Sequence, residues 1–190
     1  MLKKLLFICL FLVTIHASDE EINALPFDYM NVQYAGAIGF ISIAGGNTFF
    51  DDHYDLELYI GATPRFFDIS EVAIYTLAIK NNYIPYTFRY HSYDLRPYMG
   101  LGILAAKNQR YDPNWQDDID RGYYFQNNWH ATANFGVNIN KYFEDASIKS
   151  FGFYAETLTI DVYFLDYFNN PKALSLDDVF SLAFGVRIGF

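Results

Sequence analysis

The sequence predicts an all-β chain, an eight-stranded antiparallel up-and-down transmembrane β-barrel, on three observations. The last twelve residues, VFSLAFGVRIGF, alternate strictly. Phe180, Leu182, Phe184, Val186, Ile188 and Phe190 are apolar, whereas Ser181, Ala183, Gly185, Arg187 and Gly189 are small or charged. A period of two places one set on an oily face and the other on a tight, polar one. Hydrophobic residues make up 52% of the chain and aromatics 20%, yet beyond residue 17 no apolar run approaches the roughly 20 residues a spanning helix needs. Apolar side chains distributed by alternation suit a wall that is oily outside and polar within. Finally, the chain opens MLKKLLFICLFLVTIHAS: Lys3 and Lys4, an apolar stretch from Leu5 to Val13, and a small-residue site at Ala17. That is the layout of a secretory signal peptide.

The expected organisation is therefore a signal peptide over residues 1–17, a periplasmic lead-in over 18–28, and a barrel over 29–190. The 190 residues allow one domain. The formal net charge is −9, and an acidic chain with no basic cluster argues against nucleic acid as a partner. The single cysteine, Cys9, falls in the leader. The mature chain is thus expected to lack disulfides, thiolate nucleophiles and sulfur-ligated metal.

In order, residues 18–27 (SDEEINALPF) are acidic and broken by Pro26. Residues 29–37 (YMNVQYAGA) supply a short first strand, and 39–50 a second that turns at Asp51, Asp52 and His53. In the third, 54–63, Leu56, Leu58 and Ile60 face out while Asp55, Glu57 and Tyr59 face in. Residues 64–70 form a loop. Over 71–82, Ala73, Tyr75, Leu77 and Ile79 share one face, and Ile74, Thr76, Ala78 and Lys80 the other. Residues 83–94, with Pro85 and His91, read as a turn region. In the next strand, 95–106, Gly100 and Gly102 face in and Met99, Leu101 and Ile103 face out. Residues 107–127 form a long acidic loop. Trp129, Ala131, Ala133, Phe135, Val137 and Ile139 then alternate with His130, Thr132, Asn134, Gly136, Asn138 and Asn140.

After a turn at 141–149, residues 150–163 change parity. Phe151, Phe153 and Ala155 give way to Leu158, Ile160 and Val162. A bulge near Glu156 or Thr157 would repair the alternation and leave Thr157, Thr159 and Asp161 facing in. Residues 164–177 form the last loop, before the closing strand. Chain ends on one side require an even strand count, and an open sheet edge does not survive in lipid. Aromatics at the strand ends suggest two girdles. Phe49, Phe50, Tyr142 and Phe143 form one, and Phe66, Phe67, Tyr123, Tyr124, Trp129, Phe164 and Phe168 the other. Eight strands enclose a lumen that side chains fill, so a porin is not expected. Glu156 with Lys80 or Arg187 reads as a lumen salt bridge, because inward charges in a packed barrel need partners.

With its leader, strand rhythm and terminal aromatic, the chain resembles the small bacterial outer-membrane β-barrel proteins. The resemblance implies location in the outer membrane of a Gram-negative cell envelope and contact with outer-membrane lipid and lipopolysaccharide. It further implies Phe190 as the sorting signal read by the barrel-insertion machinery, a monomeric state, and no cofactor. The segment 150–188 also resembles the outer-membrane lipid A deacylases, which carry a His-x-Ser pair on the penultimate strand and an acid at the start of the final one. Laying SFGFYAETLTID on that pattern puts Thr157 at the histidine and Thr159 at the serine, and Asp178 falls at the acid. A hydroxyl without a neighbouring base is a poor nucleophile. A relocated set of His130, Asp161 and Thr159 is one alternative; His130 and Asp161 merely satisfying each other in a polar lumen is the other. Asp112, Asp117, Asp118 and Asp120 match no calcium-loop spacing, so no metal is expected. His53 and His91 fall in turns without a motif. The sequence thus favours a non-enzymatic barrel with a structural or surface-interaction role. The alternative is a lipid A-modifying, deacylase-like hydrolase.

Overall fold

A computed structural model describes residues 26–64, 73–108, 129–144, 147–169 and 175–190. The elements are β1 (Tyr29–Ala35), β2 (Ile41–Phe49), β3 (Tyr54–Thr63), β4 (Ile74–Tyr83), β5 (Phe88–Tyr90), β6 (Tyr93–Asn108), β7 (Trp129–Tyr142), β8 (Ser150–Ile160), α1 (Asp161–Asn169), α2 (Leu176–Val179) and β9 (Ser181–Gly189). Eight long strands form a closed antiparallel ring in the order β4-β3-β2-β1-β9-β8-β7-β6, with β6 pairing back onto β4. The first and last strands meet from Tyr29 opposite Gly189 to Ala35 opposite Ala183. The backbone of Phe190 extends that seam by donating to the Asp28 carbonyl at 2.9 Å. Both of these strand ends lie at one end of the barrel with the short turns, here the turn end; the opposite end is the loop end.

The wall alternates as the residue pattern dictates. Leu56, Leu58, Ile60, Leu77, Ile79, Met99, Leu101, Ile103, Phe135, Leu182 and Phe184 are exposed on the outside. Asp55, Glu57, Tyr59, Ala78, Lys80, Asn82, Asn134, Asn138, Asn140, Ala183 and Arg187 are buried inside. Exposed aromatics gather at the two ends. Phe49, Phe50, Tyr54, Tyr83, Tyr93, Tyr142 and Phe143 stand at the turn end, and Trp129, Phe164 and Phe168 at the loop end. Phe66, Phe67, Tyr123 and Tyr124, the expected leader, most of the lead-in and most of the long acidic loop lie outside the described residues.

Three expectations are corrected. β8 carries no bulge: it pairs without a register break with β7 from Tyr142 opposite Ser150 to Thr132 opposite Ile160, and with β9 from Ser150 to Leu158. Thr157 therefore faces out, and Leu158, 1% exposed, faces in. An apolar residue is accommodated there because Leu158 joins Ile38, Ala44, Tyr59, Ala78 and Leu104 in a small apolar cluster inside the lumen. Second, the turn region 83–94 holds β5 and the start of β6. The break before β5 contains Pro85, which has no N–H to donate to a ladder. Third, the last loop holds two helices, and Asp161 opens α1 rather than continuing β8.

The β1–β2 connection folds into the loop end of the lumen. Gly36 adopts φ +87° and Gly39 φ +149°, left-handed conformations that glycine enters without a Cβ clash. The reversal is tied by Ala35 N to Phe40 O at 2.9 Å. Ile38 is thereby fully buried, and the Thr76 hydroxyl donates to its carbonyl.

Candidate functional site

The inward face of β3 presents Asp55 and Glu57, that of β4 Lys80 and Asn82, and that of β8 Glu156. Arg96 on β6 and Arg187 on β9 complete a paired set of three anions and three cations; a fourth buried anion, Asp94 on β6, accepts from Asn140 at 2.9 Å and Tyr142 at 2.8 Å instead. Lys80 Nζ lies 2.7 and 2.8 Å from the two Glu156 oxygens and 3.4 Å from Glu57 Oε2. Arg187 reaches Asp55 Oδ2 and Glu57 Oε1, both at 2.7 Å, and its Nε donates to Asn31 Oδ1 at 3.1 Å. Arg96 Nη2 lies 3.4 Å from Asp55 Oδ1. Arg187 thus pairs with Asp55 and Glu57, and Glu156 belongs to Lys80.

Neutral donors take up the remaining acceptor capacity. Glu57 also accepts from Asn31 at 2.7 Å, Asn82 at 2.9 Å and Tyr29 at 3.2 Å. Glu156 accepts from Tyr98 and Asn134, each at 3.1 Å. The Arg187 guanidinium stacks 3.8 Å from the Tyr29 ring centroid, and Lys80 Nζ sits 4.3 Å from that of Tyr59. These cation–π contacts add to the ion pairs between buried groups. Every anion in the set is held by at least one cation, which is the condition for charges to persist when buried.

Three tyrosines fit the network to the wall by the same device. Tyr29 lies directly opposite Gly46, Tyr98 opposite Gly136, and Tyr154 opposite Gly185. Each ring covers the place where a Cβ on its glycine would project. A narrow barrel has no room for a tyrosine and a side chain at one inward pair, so each glycine makes space for a ring. The phenol of Tyr154 then donates to Gln33 at 3.1 Å.

At the loop end, His130 Nδ1 lies 3.0 Å from Asp161 Oδ1, which also accepts from the Val162 N–H at 2.8 Å. Asp161 is thus shared between the imidazole and the first turn of α1. Thr159 is buried, and its hydroxyl donates to the Ile160 carbonyl at 3.3 Å. Among the described residues His130 bonds to no serine or threonine hydroxyl, and outward-facing Thr157 is remote from any inward set. Asp178 is exposed on α2, where it accepts from the Ser175 hydroxyl at 2.6 Å and the Ser175 N–H at 2.9 Å. Those bonds hold its carboxyl below the usual range, the hydroxyl contributing most. His53 Nδ1 is 3.0 Å from the carbonyls of Phe50 and Asp51, and His91 meets the Tyr90 ring edge-on. No three His, Cys, Asp or Glu among the described residues come together as a metal site.

Beyond Glu156, Lys80 and Arg187, the structure adds Asp94, Arg96, Tyr98 and Tyr154 to the inward set. Of these, Asp94, Arg96 and Tyr98 are legible in the sequence in principle. Extending the inward register of Gly100 and Gly102 back by twos gives Tyr98, Arg96 and Asp94.

No family model matches the chain, and no curated protein matches it. Among solved structures it is similar to the N-terminal β-barrel domain of Pseudomonas aeruginosa OprF. The identity is 17% and the TM-score 0.45, over 86% of this chain and 98% of that one. The barrel assignment rests on the closed strand ladder of the chain itself.

Proposed function

We propose that the chain is an outer-membrane β-barrel of a Gram-negative envelope with a non-enzymatic role, as a structural element or a surface for interaction through its loops. One observation carries this reading: the central lumen carboxylates Asp55, Glu57 and Glu156 are consumed by the lumen cations. Glu57 accepts from two cations and three neutral donors, and Glu156 from one cation and two neutral donors. Carboxylates so engaged have no position left for a substrate proton, and their hydrogen bonds join β1, β3, β4, β6, β7, β8 and β9 across the barrel. The outside offers lipid an apolar band between aromatic ends. On this reading Phe190 is the sorting signal for the barrel-insertion machinery, the barrel works as a monomer in contact with lipid and lipopolysaccharide, and the loops around 107–127 and 164–177 face the exterior.

The His130–Asp161 contact favours a second reading, a lipid A-modifying hydrolase, because a carboxylate on Nδ1 orients an imidazole for base catalysis at Nε2. Lipid A mass spectra and detergent sensitivity of cells with and without the protein separate the two. The structural reading expects unchanged lipid A and a more permeable envelope in its absence. Acyl-chain retention in the deletion strain, reversed by the native gene but not by His130→Ala, would install the hydrolase instead.

A further inference from the structure

Seven buried side-chain atoms among the described residues have no hydrogen-bond partner, and four of them fall together. They are Nε of Arg96, Nδ2 and Oδ1 of Asn138, and Oδ1 of Asn140. The others, Ser42 Oγ, Thr132 Oγ1 and Asn134 Oδ1, are single atoms on separate residues. Arg96 stands directly opposite Asn138, and Asn140 opposite Gly152 on the other side. Arg96 is 6% exposed and both asparagines 1%. Gly152 leaves the space they share: Asn140 Oδ1 takes the place its Cβ would hold, and Asn138 Oδ1 lies 3.0 Å from that point.

The unmet groups are of both kinds. Arg96 Nε–H and the Asn138 amide donate; the two carboxamide oxygens accept. Rotating the Asn138 amide exchanges its two atoms and leaves that balance unchanged. An anion would leave the oxygens unmet, and a cation would sit beside the Arg96 guanidinium. A molecule that donates and accepts at once fits, and at this burial it must be small. Buried carboxamides left without partners are destabilising, and bound water is the usual way such groups are satisfied.

Access is from one side. A cavity of about 340 Å³ opens at the turn end, lined in part by Asp52, Arg89, Ser92, Asp94, Tyr142 and Glu144. Asp94 accepts from Asn140 Nδ2 at 2.9 Å, so a single side-chain contact separates the cavity from the unmet cluster. Toward the loop end, among the described residues, the lumen is filled first by Lys80, Tyr59 and Glu156, then by the apolar cluster around Ile38.

We infer that the turn half of the lumen is a dead-ended water site, with bound water bridging Arg96 Nε, the Asn138 amide and Asn140 Oδ1. The site depends on the closed barrel and not on which membrane holds it. The test is water-to-side-chain magnetisation transfer by NMR on the full chain folded in detergent micelles. Water cross-peaks are expected at the Asn138 side-chain amide and at Arg96 Nε–H. None is expected at Asn31 Nδ2, which already donates to Glu57 and Tyr59 while its Oδ1 accepts from Arg187. Silence at Asn138 equal to that at Asn31 overturns the site. As a second readout, Asn138→Leu should lower the urea midpoint if it evicts bridging water and strands Arg96 and Asn140. A raised midpoint would mean that a dry, unsatisfied amide had been relieved, and would also overturn it. Should that variant fail to fold, the magnetisation transfer on the native chain decides.

Discussion

Lys80 on β4 and Glu156 on β8 face each other across the lumen, the ammonium 2.7 and 2.8 Å from the two carboxylate oxygens. The pair joins opposite walls of the ring, and neither residue is more than 1% exposed. Lys80→Met should therefore destabilise the barrel by about 3–5 kcal/mol, the cost of stranding a buried charge. Adding Glu156→Gln should return a large part of that loss. Urea unfolding in micelles reads both, and a double variant as unstable as the sum of the singles would show that the two side chains act independently.

The outward position of Leu101, 70% exposed on β6, sets a second expectation. Leu101→Arg should cost about 2–4 kcal/mol if the middle of that strand meets hydrocarbon, and Tyr93→Arg, at the turn-end belt, about 0–1 kcal/mol. Equilibrium unfolding in lipid vesicles makes the comparison, and the reverse order would turn the wall inside out.

Space, rather than backbone freedom, explains Gly185. Tyr154 covers it from the opposite strand, so Gly185→Val should cost about 1–3 kcal/mol by overpacking. In a Tyr154→Ala background the same change should be close to neutral. A cost that persists without the ring would place its origin in the backbone of β9.

Asp178 answers to pH rather than to a substrate. The Ser175 bonds depress its pKa in the folded chain. The α2 cap is therefore held at pH above the ordinary aspartate value and released as pH falls through the lowered one. An NMR titration should find Asp178 below the usual aspartate range and Ser175→Ala should raise it. No change in Ser175→Ala would deny the cap.

How far the sequence carried this structure depended on whether a feature is local. Alternation placed the faces of β3, β4, β6, β7 and β9, since each face is set by neighbours two residues apart. It failed in β8 because it equates an apolar side chain with the outside. Leu158 faces in, against the buried Ile38, and that contact exists only once the β1–β2 connection has entered the lumen. Asp161 reads as a strand residue for the same reason: VYFL continues the oily pattern, and nothing local marks where the wall ends. The lumen charges could be assigned to the inside one by one. Which cation meets which anion could not, because Lys80 and Glu156 are 76 residues apart and meet only through ring closure. His130 and Asp161 could be brought together from hairpin geometry, whereas the engagement of Thr159 with the Ile160 carbonyl could not be foreseen.

The most direct test of a closed barrel seated in the outer membrane is the fate of the native protein on fractionation and gel migration. It should sediment with outer membranes and run faster unboiled than boiled, because a ring closed by β1 against β9 resists detergent until heated. Recovery in a soluble periplasmic fraction, with one mobility before and after boiling, would contradict it.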